Sequence, residues 1–540
     1  MTTHWLASPR RRTGLAVLAG ALPVLAFPAP SLWWWAYGAL VPWLLLVRTA
    51  PSGRRALYEG WAGGFGFMLG MHHWLLPSLN VFTFVIAGLL GALWAPWGWV
   101  VRRLLGGEYD RRPGRKEAAV ALVVLPSGWL AVELVRSWQG LGGPWGMLGA
   151  SQWEVGPALR LASVGGVWLL TLLVVAVNTA VALLVAASVP CASADRASAS
   201  RTSDDLTPVD PTPSPRPLAL AALLALAVLT VAVSVAAPRP ETTGRARIAL
   251  VQAGVVDGPD RRFEREERLT RELVGQDVDL IVWGESSVGY DLKDRPDLAK
   301  RLAALAGATG ADLLVNVDAR RSDRPGIYKS SILVGPDGPT GDRYDKMRLV
   351  PFGEYIPARS LLGWATSVGK AAGEDRRRGT AQTVMEAGPE LRFGPMICFE
   401  TAFPDMSRNL ARKGVDLLVA QSSTSSFQHS WAPAQHASLA ALRAAETGRT
   451  FVHATLTGDS VVHGPDGRRI GRALGTSVSG TAVYEVPLSD SLTVYDRYGD
   501  WAVYAALLAL AGYAVSVLRG RTPRARPART VRESPARPVR

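Results

Sequence analysis

Apolar positions follow two regimes along the chain. In the first 240 residues they form long, nearly unbroken runs: Thr13 to Pro28, Leu32 to Val47, then roughly 57–77, 81–101, 117–136, 161–189 and 217–237. A further run stands alone at roughly 501–518. A helix rises about 1.5 Å per residue, so runs of this kind suit a hydrocarbon core about 30 Å thick. Eight membrane spans are predicted. Arg10-Arg11-Arg12 followed by one apolar run has the form of a signal peptide, but a second run follows at once, which predicts a retained helix.

Charge between the runs alternates. Arg10 to Arg12, Arg48 with Arg54 and Arg55, the cluster from Arg102 to Lys116, Arg196 with Arg201 and Arg216, and the tail fall on every second boundary. The intervening connections carry few cations. The bias of Lys and Arg toward the cytoplasm places both termini inside and the long segment between spans seven and eight outside. Residues 192–217, rich in Ser, Asp, Thr and Pro, read as a flexible cytoplasmic linker. The outer connection Gly140 to Gln152 is too Gly-rich for a helix, and its aromatics suit either a membrane-interface belt or a lipid contact.

From Arg245 the pattern changes to short strands alternating with amphipathic helices, which argues an α/β domain. Strands are predicted at Ile248–Gln252, Val278–Trp283, Ala311–Val317, Leu391–Ile397, Val415–Gln421, Thr450–Leu456 and Thr481–Val486. Helices are predicted at Arg261–Val274, Asp297–Ala308, Pro433–Thr447 and from Pro404 onward. Pro336-Asp337-Gly338 and Pro465-Asp466-Gly467 each end a strand with a tight turn, so both read as hairpins. The domains expected are 1–240 in the membrane, 241–495 outside it, span eight at 496–519 and a disordered Arg/Pro-rich cytoplasmic tail at 520–540.

Composition narrows the function classes. The 540-residue chain is 48% hydrophobic with a formal charge of +14. Residues Arg519 to Arg540 hold eight Arg against one Glu, half of that excess. The charge is therefore local, suits anionic lipid, and gives no basic folded face for nucleic acid. Cys191 and Cys398 are the two cysteines, too separated to suggest a disulfide framework or a zinc site. The seven scattered His add no ligand spacing, and no cofactor is implied.

The candidate chemistry centres on Cys398, delivered by the apolar strand Leu391–Ile397. A thiol is a weak nucleophile until a base or cation makes the thiolate. Glu285, closing the strand at Trp283-Gly284-Glu285, is a candidate base. Lys346, in Tyr344-Asp345-Lys346, is a candidate cation for thiolate and oxyanion, with the backbone N–H of Phe399 as a second oxyanion donor. Arg443, Glu446 and Arg449 recur on one helix and read as a structural ion-pair face.

Glu285, Lys346 and Cys398, in that order, resemble the Glu-Lys-Cys triad of the nitrilase (carbon–nitrogen hydrolase) superfamily. The stretch from Tyr344-Asp345-Lys346 through Leu349-Val350-Pro351-Phe352-Gly353-Glu354-Tyr355-Ile356-Pro357 resembles the membrane-embedded apolipoprotein N-acyltransferase branch. The resemblance implies a four-layer α-β-β-α sandwich. It also implies transfer of an acyl chain from a phospholipid, through a thioester on Cys398, to the N-terminal amine of a diacylglyceryl-cysteine lipoprotein. Within it Glu354 would orient or charge-balance Lys346, and Glu400 would support the same region. Gly140 to Gln152 resembles the family's outer loop before span six. Two departures stand out: Gly284 where the family usually has Pro, and Ser422 to Phe427 where it usually has an Asn-Asp-x-Trp-Phe loop. A membrane-tethered amidase, which would use the same triad with water resolving the thioester, is one alternative; the altered 422–427 loop also leaves open a non-catalytic membrane scaffold for a partner such as a glycosyltransferase.

Overall fold

A computed structural model describes residues 8–106, 113–188, 214–363 and 373–519. Cys191, the Arg/Pro-rich tail 520–540 and most of the 192–217 linker lie outside the described residues.

The helical half begins with α1 (Pro9–Ala21), α2 (Val41–Arg48), α3 (Gly53–Met71), α4 (Val81–Gly91), α5 (Ala95–Leu105), α6 (Arg115–Arg136), α7 (Gly156–Ser188) and α8 (Arg216–Ala236). Five helical stretches among the described residues are long and apolar enough to cross a membrane: Val81–Leu105, Arg115–Arg136, Gly156–Ser188, Arg216–Ala236 and Trp501–Arg519. The other three expected spans are shorter or less apolar helices. Thr13 to Pro28 ends in a 3-10 turn at Leu22–Ala26, and Leu32 to Val47 breaks into a 3-10 turn, Trp33–Tyr37, and α2. Pro23 and Pro42 each sit at the start of a new element, where a missing N–H costs no helical bond. The third, α3, carries Arg54, Arg55 and Glu59 in its first turns.

Aromatic rings fill the centre of this half. Trp43, Trp94, Trp97, Trp129 and Phe67 meet edge-to-face at 5.2 to 5.8 Å between centroids, a geometry favoured by the ring quadrupole. Glycines on α3 allow backbones to approach closely. A Cβ on Gly66 would lie 2.0 Å from the Val17 carbonyl oxygen, and one on Gly64 would lie 2.4 Å from that of Gly91.

One group of arginine contacts gathers at one end of the helices. Arg12 and Arg55 both pair with the buried Glu59, at 2.6 and 2.7 Å. Arg48 donates to the Leu105 carbonyl and Arg102 to that of Ala50, each at 2.7 Å. Arg103 donates to the Tyr513 hydroxyl at 3.2 Å. The opposite end carries the remainder of the chain.

That remainder is two six-stranded sheets. The first runs β12-β1-β2-β3-β4-β5 and the second β11-β10-β9-β8-β7-β6. The strands are β1 (Gly244–Gln252), β2 (Leu280–Trp283), β3 (Asp312–Arg320), β4 (Ile327–Gly335), β5 (Gly338–Asp345), β6 (Met385–Ala387), β7 (Leu391–Ile397), β8 (Leu417–Ser422), β9 (Thr450–Thr455), β10 (Ser460–His463), β11 (Arg469–Leu474) and β12 (Gly480–Leu488). Both expected hairpins are present, as β4–β5 and β10–β11. The inner faces pack Ile248, Leu280 and Leu314 against Phe393, Val419 and Val452. Helices α9 (Pro259–Arg271) and α10 (Pro296–Thr309) cover the outer face of the first sheet. Helices α11 (Pro404–Arg412) and α12 (Ala432–Thr447) cover the second, giving the four-layer α-β-β-α sandwich.

The outer face of α12 is not exposed to water. It packs on α7, and one hydrophobic core runs from the tryptophan cluster through α11 and α12 into β7 and β8. The seam has a specific polar tie. Helix α7 is interrupted at Gly165 and Gly166, and Gly166 holds a φ of 66° that an L side chain resists. This frees the Val167 N–H, which donates to Glu446 at 2.8 Å, while Arg443 pairs with the same carboxylate at 2.9 Å. The expected ion-pair face is thus present only in part. Arg449 turns instead to the carbonyls of Val415, Asp490 and Ser491, because α12 ends at Thr447 before reaching it. The last helix, α13 (Trp501–Arg519), returns alongside α6, with the Trp501 indole donating to the Val164 carbonyl at 2.8 Å.

Candidate active site

Three strand ends converge on one point. Strand β2 is fully buried, and Gly284 follows it, where a Cβ would stand 2.2 Å from the Leu456 nitrogen. Only glycine permits that approach between the two sheets. The position where Pro was expected is thus a packing point. The next residue, Glu285, donates its N–H to the Ser422 carbonyl at 3.0 Å, which fixes its carboxylate over the gap between the sheets.

The hairpin β4–β5 brings two lysines beside it. The Lys346 N–H donates to the Lys329 carbonyl at 2.8 Å, so the two side chains leave adjacent strands together. Lys346 Nζ lies 3.0 Å from Glu285 Oε1 and 2.7 Å from Glu354 Oε1. Lys329 Nζ lies 2.9 Å from Glu285 Oε1 and 3.1 Å from Glu354 Oε1. Glu354 accepts the Val350 N–H at its other oxygen, 2.9 Å away, which locks the loop after Lys346. Glu354 and Lys346, which the family resemblance linked, are thus in direct contact.

Glu400 acts differently from a partner of Lys346. Its Oε1 accepts from the Tyr344 hydroxyl at 2.7 Å, the Met347 N–H at 2.7 Å and the Arg348 N–H at 3.0 Å. Its Oε2 accepts the Ile397 N–H at 2.8 Å. The carboxylate therefore ties the segment around Lys346 to the strand end that carries the thiol. Burial raises the Glu400 pKa, and the bonds from Arg348, Tyr344 and Ile397 oppose that rise only in part.

Cys398 follows β7 with a φ of 52°, an uncommon conformation for a residue other than glycine. Such strain costs on the order of 1–3 kcal/mol and persists only where surroundings enforce it. Here the Glu400 contacts hold one side. On the other, His436 Nε2 lies 2.9 Å from the Cys398 carbonyl oxygen. Burial keeps His436 neutral, with a pKa of about 4, so an Nε2–H tautomer donates this bond. Phe399 follows at once, and its ring packs edge-to-face on Phe403.

The electrostatics refine the sequence expectation. Burial pushes the Cys398 thiol up to about 12, with Glu285 adding to the shift and Lys346 opposing it. Burial thus favours a neutral Cys398 thiol over a thiolate, and the two lysines that oppose it are themselves paired with carboxylates. Glu285 moves the other way, down to about 2: burial opposes its charge, but Lys329 and Lys346 outweigh burial. Burial likewise disfavours charge on Lys346, yet Glu285 and Glu354 raise its pKa.

The thiol opens into a cavity of ≈ 330 Å³ between the two halves of the molecule. Its walls include Met68, Leu75, Ile86 and Leu90 from the helical half, and Phe352 and Phe427 from the other. The Ser422 to Phe427 departure does not empty this wall of aromatics. Phe427 meets Trp74 at 4.7 Å and Trp431 meets His73 at 4.7 Å, both edge-to-face. The Gly140 to Gln152 connection lines the same cavity, through Gly140, Leu141, Gly143 and Trp145. Trp145 is buried, stacks near Trp74 and His436, and donates to Gln435 at 3.1 Å. Arg136 holds its carbonyl. Gly143, at a φ of 71°, lies where a Cβ would strike the rings of Phe399 and Phe403 at 2.7 Å. Trp138, just before this connection, stays open to the surroundings.

The structure thus gathers Glu285, Lys346, Cys398, Glu354, Glu400 and Phe399 in one place. Sequence reasoning missed Lys329 and His436. For Lys329 the signal was a lone cation inside the otherwise apolar and small-residue strand Ile327–Gly335; for His436, an imidazole on a helix whose residues are nearly all buried.

Comparison with known proteins is consistent with this geometry. Residues 19–180 match the apolipoprotein N-acyltransferase N-terminal domain, and residues 247–494 match the carbon–nitrogen hydrolase family. An apolipoprotein N-acyltransferase of Geobacter metallireducens is 30% identical over 530 residues, 94% of this chain and 96% of that one. One of Azotobacter vinelandii is 30% identical over 534 residues, 95% of this chain and 96% of its own. Among solved structures, a CN-hydrolase superfamily protein of Xanthomonas campestris aligns at 19% identity over 45% of this chain and 91% of its own, with a TM-score of 0.34.

Proposed function

The chain belongs to the apolipoprotein N-acyltransferase family, a family of lipoprotein-acylating membrane enzymes, and from that membership we propose how its residues carry the reaction. The donor is a phospholipid whose acyl chain lies in the cavity at Cys398. Glu285 takes the thiol proton as Sγ attacks the ester carbonyl. Two of the three Lys346 N–H bonds are directed to carboxylates, which leaves the third, with the Phe399 N–H, for the oxyanion. The ester C–O bond then breaks, Glu285 returns the proton to the departing oxygen, and a lysophospholipid leaves a thioester on Cys398. In the second half-reaction the N-terminal amine of a diacylglyceryl-cysteine lipoprotein attacks that thioester. Glu285 takes a proton from the amine, the C–S bond breaks, and the proton passes to the sulfur, leaving an amide.

The observation that carries this reading is the cavity. A nucleophile whose pocket is walled by Met68, Leu75, Ile86 and Leu90 of the helical half suits an apolar acyl chain, and burial there excludes the water that would hydrolyse a thioester. That wall favours lipid over the small polar amides of a tethered hydrolase, and the charges gathered around a thiol are out of place in a scaffold. We read residues 1–240 and 496–519 as the membrane part, 241–495 as the catalytic domain, and 520–540 as a cytoplasmic tail. The gathering of Arg12, Arg48, Arg55, Arg102 and Arg103 at the end away from the catalytic domain supports cytoplasmic termini and an extracytoplasmic site. Mass spectrometry of lipoprotein N-termini tests the function: cells carrying the chain should show N-acylated diacylglyceryl-cysteine, and cells lacking it the free amine. A free amine in both would contradict it.

A further inference from the structure

Four charged side chains beside Cys398 form a closed ring. Lys346 touches Glu285, Glu285 touches Lys329, Lys329 touches Glu354, and Glu354 touches Lys346, with every N–O separation between 2.7 and 3.1 Å. Cations and carboxylates alternate around it, two of each. Both lysines bond the same oxygen of Glu285, Oε1. We propose that Lys329 is a positioning residue of the acyl transfer, closing the ring that keeps Glu285 ionised and aimed as the base of both half-reactions. The proposal rests on Glu285 being that base.

Register explains how Lys329 reaches the ring. Residues Lys329 and Asp318 pair across β3 and β4, and the Lys329 carbonyl accepts the Lys346 N–H. Its side chain is 13% exposed, whereas that of Lys346 is fully buried. Lys329 is therefore the ring's outward member, and Asp318 faces it at 3.8 Å with Arg376 beyond at 3.4 Å. The groups around Glu285 are thus Lys329 from β4, Lys346 after β5, Glu354 from the following loop, Asp318 from β3, and the uncharged Cys398 and His436 from the second sheet and α12.

Removing the Lys329 charge leaves Glu285 and Glu354 sharing one ammonium in a buried site. Like carboxylates in that position do not both stay ionised, and one binds a proton. Each proton bound by Glu285 removes a base, so the loss of acylation at low pH must begin at a higher pH than in the wild type. A cation of another shape in the same place should keep the ring closed.

The test is single-turnover acylation of Cys398 in the full-length detergent-solubilised protein, with labelled phospholipid vesicles, followed across acid and neutral pH. Lys329→Met should move the acid limb up by roughly 1–3 pH units, Lys329→Arg should follow the wild type, and Lys329→Gln should follow Lys329→Met. The Gln variant, which keeps a donor, answers the question if the Met variant fails to fold. An acid limb unmoved in folded Lys329→Met or Lys329→Gln overturns the proposal, as does an Arg variant shifted as far as Met. A wild-type protein that forms no adduct at any pH would instead overturn the proposed function.

Discussion

The first sheet, backed by α9 and α10, contributes Glu285, Lys329 and Lys346, with Glu354 held by the loop beyond. The second sheet, backed by α11 and α12, contributes an uncharged thiol and a wall of carbon. Behind the first sheet lie amphipathic helices with charged outer faces, such as Arg261 to Arg271. Behind the second lies the hydrophobic core shared with the helical half. On the proposed mechanism the two sheets divide the work: the first carries the groups for proton transfer and oxyanion charge at its strand ends, and the second, covered by the helical half, faces the acyl chain. The thiol sits where the two meet.

Breaking the second sheet's share outright gives the largest effect. Cys398→Ala should abolish acyl transfer, measured as N-acylated lipoprotein, while protein level and membrane insertion are unchanged. Breaking the first sheet's share comes next. Lys346→Met should lower the acylation rate by about 10²–10³-fold through loss of one oxyanion donor in a dry site, read by single-turnover kinetics. A rate near wild type would remove Lys346 from the mechanism.

The contrast between the sheets also separates what the sequence revealed from what it hid. Strand Leu391–Ile397 was legible to the residue, because an apolar run bounded by Glu390 and a turn has one reading. Glu285 and Cys398 were picked out because each follows an apolar strand, and Lys346 by the motif from Tyr344 to Pro357, since the strand before it is largely polar; the fold brings the three together. Lys329 was hidden because it lies within a strand, where alternation predicts only a side-chain direction and not a partner. The breaks inside the first apolar runs were hidden as well, because hydropathy does not register where Pro23 and Pro42 start new elements. The identity of the cavity wall was hidden for a different reason. Trp74, Trp145 and Phe427 are far apart in sequence, and an aromatic facing a membrane looks the same as one facing a domain seam until the fold joins them.

Two smaller effects sharpen the comparison. The neutral resting thiol has a sign that can be checked. With a pKa raised to about 12 by burial, the thiolate fraction is small at neutral pH and grows as pH rises. Alkylation of Cys398 by a small uncharged haloacetamide should therefore climb about tenfold per pH unit through the alkaline range without levelling below pH ~10. A plateau near neutrality would mean a preformed thiolate. Phe427→Ala should remove one edge-to-face contact with Trp74, worth about 0.5–1.5 kcal/mol. It should weaken phospholipid use by roughly 2–10-fold in KM, with a smaller change in kcat. An equal loss with a water-soluble thioester donor would place Phe427 outside the lipid wall.

The most direct measurement of a two-step transfer at this junction is the fate of the acyl group on the purified protein. Given labelled phospholipid alone, the wild-type chain should form a hydroxylamine-sensitive adduct that maps to Cys398 and persists for lack of an amine. Adding a diacylglyceryl-cysteine peptide should discharge it to an amide on the peptide. Rapid decay to free fatty acid, unchanged by the peptide, or an adduct mapping elsewhere, would contradict the account.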